Sequence, residues 1–174
     1  MDIPKYAKLE NERRFLVLHP PDLLRAPVRV IEDLYVHGSR MRLRAITRPD
    51  GGLAEFKFCK KYGSDDPVSG PIVNMYLSAE EHALLAVLPG RRLRKRRYTV
   101  AHGGRNFSVD VFEGPLQGLV QCETEAESPE AVRAVVFPPW AAREVTDDAF
   151  FTGANLAGVT AVELKARLTD VNLL

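Results

Sequence analysis

Polar and apolar residues alternate with a period of two over many short stretches of this chain, the pattern of half-buried strands. The first such stretch runs from Lys8 to Val17 and places Glu10, Glu12 and Arg14 on one face, with Asn11, Arg13 and Phe15 on the other. His19-Pro20-Pro21-Asp22 interrupts it. Val28 to Val36 predicts a second strand and Arg40 to Arg48 a third, the latter with Arg40, Arg42 and Arg44 facing away from Met41, Leu43 and Ala45. After the turn Pro49-Asp50-Gly51-Gly52, a fourth strand is expected over Leu53 to Lys60, with Glu55 and Lys57 opposed to Phe56 and Phe58. Pro71 to Leu77 predicts a short fifth strand.

Ser78-Ala79-Glu80-Glu81 has the form of a capping box and predicts a helix carrying Leu84, Leu85 and Leu88 up to Pro89-Gly90. Strands are then expected over Arg91 to Ala101, Asn106 to Glu113 and Leu119 to Glu127, with His102-Gly103-Gly104-Arg105 as a hairpin loop. Ser128-Pro129-Glu130 opens a second helix that Pro138-Pro139-Trp140 ends, and a terminal helix is expected near Thr160 to Leu168. The sum is a mainly β, α+β chain: an eight-stranded antiparallel barrel with helices packed on the outside.

Composition changes this picture little. The 174 residues, 45% hydrophobic and 27% charged, suit one globular domain over 1–174 with a real core. A net charge of +1 argues against an extended nucleic-acid surface. Cys59 and Cys122 lack metal-ligand spacing and read as small core residues rather than a disulfide. No signal peptide and no apolar run of membrane-spanning length is visible, so a cytoplasmic protein is expected.

The charges matter through their arrangement. Glu10/Glu12 and Glu123/Glu125 are i, i+2 carboxylate pairs suited to hard divalent cations, and Arg42/Arg44, Lys57 and Lys95/Arg97 are basic positions suited to phosphate. Each pair alone is more often a solvated strand face. Gathered inside one barrel they would be costly unless paired with each other or with a charged ligand, and a metal-chelated polyphosphate meets both signs. Asp110 is a further acid, either a metal ligand, a partner for a base, or a strand-end residue satisfied by backbone. The basic run Arg91 to Arg97 is also a possible nucleic-acid patch, but alternation sends Lys95 and Arg97 one way and Arg94 and Arg96 the other. The four histidines show no ligand spacing, and neither a nucleophile elbow nor a phosphate-loop signature is present.

In order along the chain, Glu10-Asn11-Glu12-Arg13-Arg14-Phe15-Leu16-Val17, Arg42-Leu43-Arg44, Lys57, Leu93-Arg94-Lys95-Arg96-Arg97-Tyr98, Asp110-Val111-Phe112-Glu113-Gly114-Pro115-Leu116, Glu123-Thr124-Glu125, Pro138-Pro139-Trp140 and Glu144-Val145-Thr146-Asp147-Asp148 resemble the CYTH superfamily, the triphosphate tunnel metalloenzymes. The resemblance implies a tunnel that hydrolyses or rearranges a triphosphate with Mg²⁺ or Mn²⁺. It implies Glu10, Glu12, Glu123 and Glu125, with Asp110, as metal ligands. It implies Arg14, Arg42, Arg44, Lys57, Lys95 and Arg97 as phosphate-binding, and Glu10, Glu12 and Arg14 as catalytic, Arg14 standing where the signature has lysine. Many relatives carry glutamates where this chain has Ile72 and Asn74. Inorganic triphosphate is the expected substrate; adenylate cyclisation, thiamine triphosphate hydrolysis and a non-catalytic polyphosphate or nucleotide binder are the alternatives.

Overall fold

A computed structural model describes residues 3–52 and 55–170. Its strands are β1 (Lys8–Val17), β2 (Val28–Val36), β3 (Met41–Thr47), β4 (Glu55–Lys61), β5 (Ser69–Leu77), β6 (Gly90–His102), β7 (Arg105–Phe112), β8 (Val120–Glu125) and β9 (Ala141–Glu144). The order β5-β4-β3-β2-β6-β7-β8-β1 closes through pairing of β5 with β1, so eight strands form a closed antiparallel barrel and β9 is an extra strand beside β1. Closure leaves the barrel no open edge.

β1 is the strand on which closure depends. Residues Lys8 to Asn11 pair with β5, and Glu12 to Leu16 pair with β8. Asn11, buried between them, donates to the Ala126 carbonyl and accepts from the Ser69 hydroxyl, so its amide ties both neighbours to β1. Beyond the reach of β5, β9 takes over with Phe15 opposite Glu144. The sequence reading places no strand there, because Ala141–Glu144 has no apolar alternation of its own and is held by the backbone of β1.

The other departures are at ends. The expected start of the fourth strand, Leu53, lies outside the described residues, and β4 runs on through Lys61. β5 begins at Ser69 rather than Pro71. Helix α1 (Ala79–Leu85) has the predicted capping box, with Ser78 and Glu81 each accepting from the other's backbone N–H. Helix α2 (Pro129–Arg133) is shorter than expected, because the Arg13 guanidinium takes the carbonyls of Val132, Arg133 and Val135 and turns the chain there.

Inside, the inward positions change character along the barrel axis. Near one end Leu16, Leu93 and Phe112 are apolar, and Val145, Phe151, Leu156, Leu164 and Leu168 from the C-terminal segment pack onto them. That segment contains α3 (Gly153–Leu156) and α4 (Ala161–Asp170). On the outer face Val17, Phe107 and Cys122 are covered by Val135, Phe137 and Trp140. The middle of the interior is left to charged residues.

Candidate functional site

Strand parity builds the site. Glu10, Glu12 and Arg14 of β1, Asp33 and Tyr35 of β2, Arg42 and Arg44 of β3, Cys59 and Lys61 of β4, Lys95 and Arg97 of β6, and Glu123 and Glu125 of β8 are all inward, and most line a cavity of about 780 Å³. A second cavity of about 440 Å³ shares Glu10, Arg42, Arg44, Arg97 and Glu125 with the first, so the two are openings on one charged interior.

The register sets like charges against each other across ladders. Glu12 faces Glu125 on β8, and Arg44 faces Lys57 on β4. Directly opposed like charges destabilise a sheet unless something of the other sign lies between them. Carboxylate oxygens of Glu10, Glu12 and Glu125 lie within 4.8 Å of one another. Lys61 is a counter-charge to this cluster, paired with Glu10 and 3.5 Å from Glu12. Partial burial and the neighbouring carboxylates of Glu10, Glu123 and Glu12 push the Glu125 carboxyl above the ordinary range.

The cations are held by two aspartates. Asp110, whose side chain is 1% exposed, accepts from Lys95 and takes both Arg97 Nε and Nη2 at 2.7 Å. Burial favours its neutral form, but the Arg97 and Lys95 charges outweigh that and hold it ionised, below the usual range. Burial lowers the Lys95 ammonium, against the upward pull of Asp110. Asp33 holds Arg44 through two hydrogen bonds of 2.7 and 2.8 Å. Burial opposes its charge, yet Arg44 and Arg42 bring the carboxyl down to about 2. Glu123 pairs with Arg97 and lies 3.7 Å from Arg14, and Arg14 also reaches Glu12 at 2.8 Å.

No protein-family model matches the chain. A curated protein of Nitrosomonas europaea named inorganic triphosphatase is 41% identical over 69 residues; the match takes in 39% of this chain and 46% of that relative, under half its length. A solved structure of an inorganic triphosphatase superposes with a TM-score of 0.57 at 26% identity, covering 85% of this chain and 93% of the other. A protein of Bacillus halodurans provisionally named an adenylate cyclase shares the fold, with a TM-score of 0.51, 17% identity, and 74% and 86% of the two chains covered. The chain has the CYTH triphosphate-tunnel fold.

Within that tunnel the sequence-predicted residues separate into groups. Glu10, Glu12 and Glu125 come together as an acidic cluster at one wall. Arg42, Arg44, Lys95 and Arg97 come together across the interior, and Arg14 bridges the groups through Glu12 and Glu123. Glu123 and Asp110, expected beside the other carboxylates, are placed against Arg97, with Lys95 also on Asp110. Lys57 lines the smaller opening, paired with Glu55 at 2.8 Å and lying 5.0 Å from the Tyr76 ring centre. Asn74 lines that same opening, and Ile72 is buried opposite Lys61.

Two tunnel residues lie outside the predicted set. Lys61 is one residue past the expected end of the fourth strand at Lys60, although counting from Glu55, Lys57 and Cys59 by twos reaches it. Asp33 stands in β2 next to Glu32, and its signal is parity, which makes it the carboxylate on the face of Ile31 and Tyr35. The wall at the larger opening also uses Gly153, whose missing side chain makes room for the Tyr35 hydroxyl.

Proposed function

We propose that this protein hydrolyses inorganic triphosphate to diphosphate and phosphate, in a divalent-metal-dependent reaction inside the tunnel. The observation that carries the reading is the separation of signs in one cavity, a carboxylate cluster on one side and a set of guanidinium and ammonium groups on the other. The named activities of the triphosphatase relatives support the same reaction.

The donor set fits a hard cation. Glu10, Glu12 and Glu125 offer three carboxylates within one ion's reach, and the Glu12–Glu125 opposition is relieved by positive charge between them. Mg²⁺ or Mn²⁺ held there would supply charge neutralisation for the phosphate oxygens and an acidified water. The chain's own groups do the rest. Arg42, Arg44, Lys95 and Arg97 bind and orient the phosphate chain and stabilise the charge that builds on the transferred phosphoryl group. Arg42 Nε is buried with no hydrogen-bond partner among the described residues, a donor that an anionic oxygen would satisfy. Arg14 and Lys61, between the acidic cluster and the interior, present positive charge to the phosphate nearest the cluster. Arg14 cannot act as a base, since guanidinium stays protonated. Asp110 and Glu123 hold Lys95 and Arg97 in place, and Lys57 is the outlying member of the set at the smaller opening.

The substrate is a small molecule, and the outward Arg94 and Arg96 carry no nucleic-acid role in this reading because Glu32 and Glu113 pair with them. A reducing, cytoplasmic setting suits two buried, unpaired cysteines. No helix among the described residues is long and apolar enough to cross a membrane.

Phosphate release from inorganic triphosphate, ATP and thiamine triphosphate, with Mg²⁺, Mn²⁺ or chelator, tests the proposal. Metal-dependent release, strongest from inorganic triphosphate and lost in Glu10→Gln/Glu12→Gln, is expected. Release that persists in chelator, or in the double variant, would sink it, and cyclic AMP formed from ATP would replace hydrolysis with cyclisation.

A further inference from the structure

A carboxylate beside a phosphate-binding site needs an explanation, because it repels the ligand. Asp33 is such a group. Its side chain has 0% exposure, and it stands on β2 directly opposite Arg44 of β3. Arg44 gives it both Nε and Nη2, the two-point fork that fixes the plane of a guanidinium. Arg42, two residues from Arg44 on β3, has its Nε 3.7 Å from the same carboxylate, outside hydrogen-bond reach, and that nitrogen has no hydrogen-bond partner among the described residues. Leu93, the residue facing Asp33 from β6, has an apolar side chain, and among the described residues the carboxylate's hydrogen bonds go to Arg44. The arrangement parallels Asp110, which holds the two β6 cations from β7. Each basic pair in the tunnel thus has its own buried aspartate.

Resting on the triphosphate reading above, we propose that Asp33 is a positioning residue for the substrate: it locks Arg44 in one plane and draws Arg42 alongside, so that their remaining N–H groups meet the phosphate oxygens preorganised. The benefit is geometric and is gained against a repulsive charge. That opposition of signs makes the idea testable. If Asp33 only diluted the positive field, removing its charge would tighten anion binding; if it positions the arginines, removing it weakens binding.

The experiment is calorimetric titration of sodium tripolyphosphate, in chelator, into the full chain and its Asp33→Asn and Asp33→Glu variants, with melting curves to confirm the folded fraction. Asp33→Asn is expected to bind about tenfold or more weakly despite losing a repulsive charge, the scale on which small misplacements act. Asp33→Glu keeps the charge and moves it by one methylene, so its expected loss of affinity is positional. Arg44→Lys keeps the cation and abolishes the fork, and it should lose affinity to a similar degree even if Asp33→Asn fails to fold. Tighter binding by Asp33→Asn overturns the proposal, as does native affinity in both Asp33→Glu and Arg44→Lys. Native affinity in folded Asp33→Asn at a lowered melting temperature also overturns it and leaves Asp33 a structural ion pair. No binding by the unsubstituted protein either in chelator or with Mg²⁺ would overturn the triphosphate reading and this inference together.

Discussion

At the scale of single residues, the tunnel works through charges that the protein holds buried and ionised. Asp33 shows the energetics. Its carboxyl is brought down to about 2 by Arg44 and Arg42 after burial has opposed its charge, against about 3.9 for an unfolded chain. A carboxyl depressed in the fold contributes stability above its unfolded value and loses it as pH falls towards the folded one. Asp33→Asn should therefore be less stable than the native protein at neutral pH, by about 3–5 kcal/mol if the arginines are left uncompensated. Urea denaturation across pH should show that gap narrowing between roughly pH 4 and 2, and a gap that stays constant there would refute the assignment. Which residues face the tunnel was legible by counting in twos from Glu10, Arg42, Lys95 and Glu123. Asp33 and Lys61 are less legible, because Asp33 stands beside the outward Glu32 in a mostly apolar strand and Lys61 lies at a strand end held by pairing with Ile72.

At the scale of elements, strands carry the charged interior and the C-terminal segment packs on its apolar end and lines the larger opening. The β6 run that reads as a basic block is split by the barrel. Lys95 and Arg97 go inward to Asp110, while Arg94 and Arg96 go outward to Glu113. No periodicity announced how the segment after β9 would pack. Phe151 sits in a 3₁₀ turn (Ala149–Phe151), fully buried among Leu16, Leu93, Phe112 and Leu156. Phe151→Ala should cost about 3–5 kcal/mol. Because that cluster abuts the tunnel at Phe112, the loss should appear both in chemical denaturation and as weaker tripolyphosphate binding. A loss of stability with unchanged binding would separate the plug from the site.

At the scale of the whole molecule, one closed barrel holds opposed charges that an open sheet would expose to water. The cations are partly neutralised by Asp33, Asp110 and Glu123, and the acidic cluster by Lys61 and Arg14, so one interior presents both signs to a ligand that carries both. Tripolyphosphate with Mg²⁺ should raise the melting temperature more than either alone. At a ligand concentration of a hundred times Kd the gain is about 2.7 kcal/mol; an additive or smaller joint shift would count against a shared site. The residue pattern alone determined the strands and the shared face of each charged pair, because alternation in a strand is local and each strand carries it; that those faces point inward was decided by closure of the barrel. Only the tertiary structure decided which charges meet. It gathered Glu10, Glu12 and Glu125, assigned Asp110 and Glu123 to cations, sent Lys57 to the far opening and brought Lys61 and Asp33 in. Those outcomes depend on inter-strand register and on closure of β5 against β1, and register is set by contacts between residues far apart in the chain, which no single strand's pattern contains.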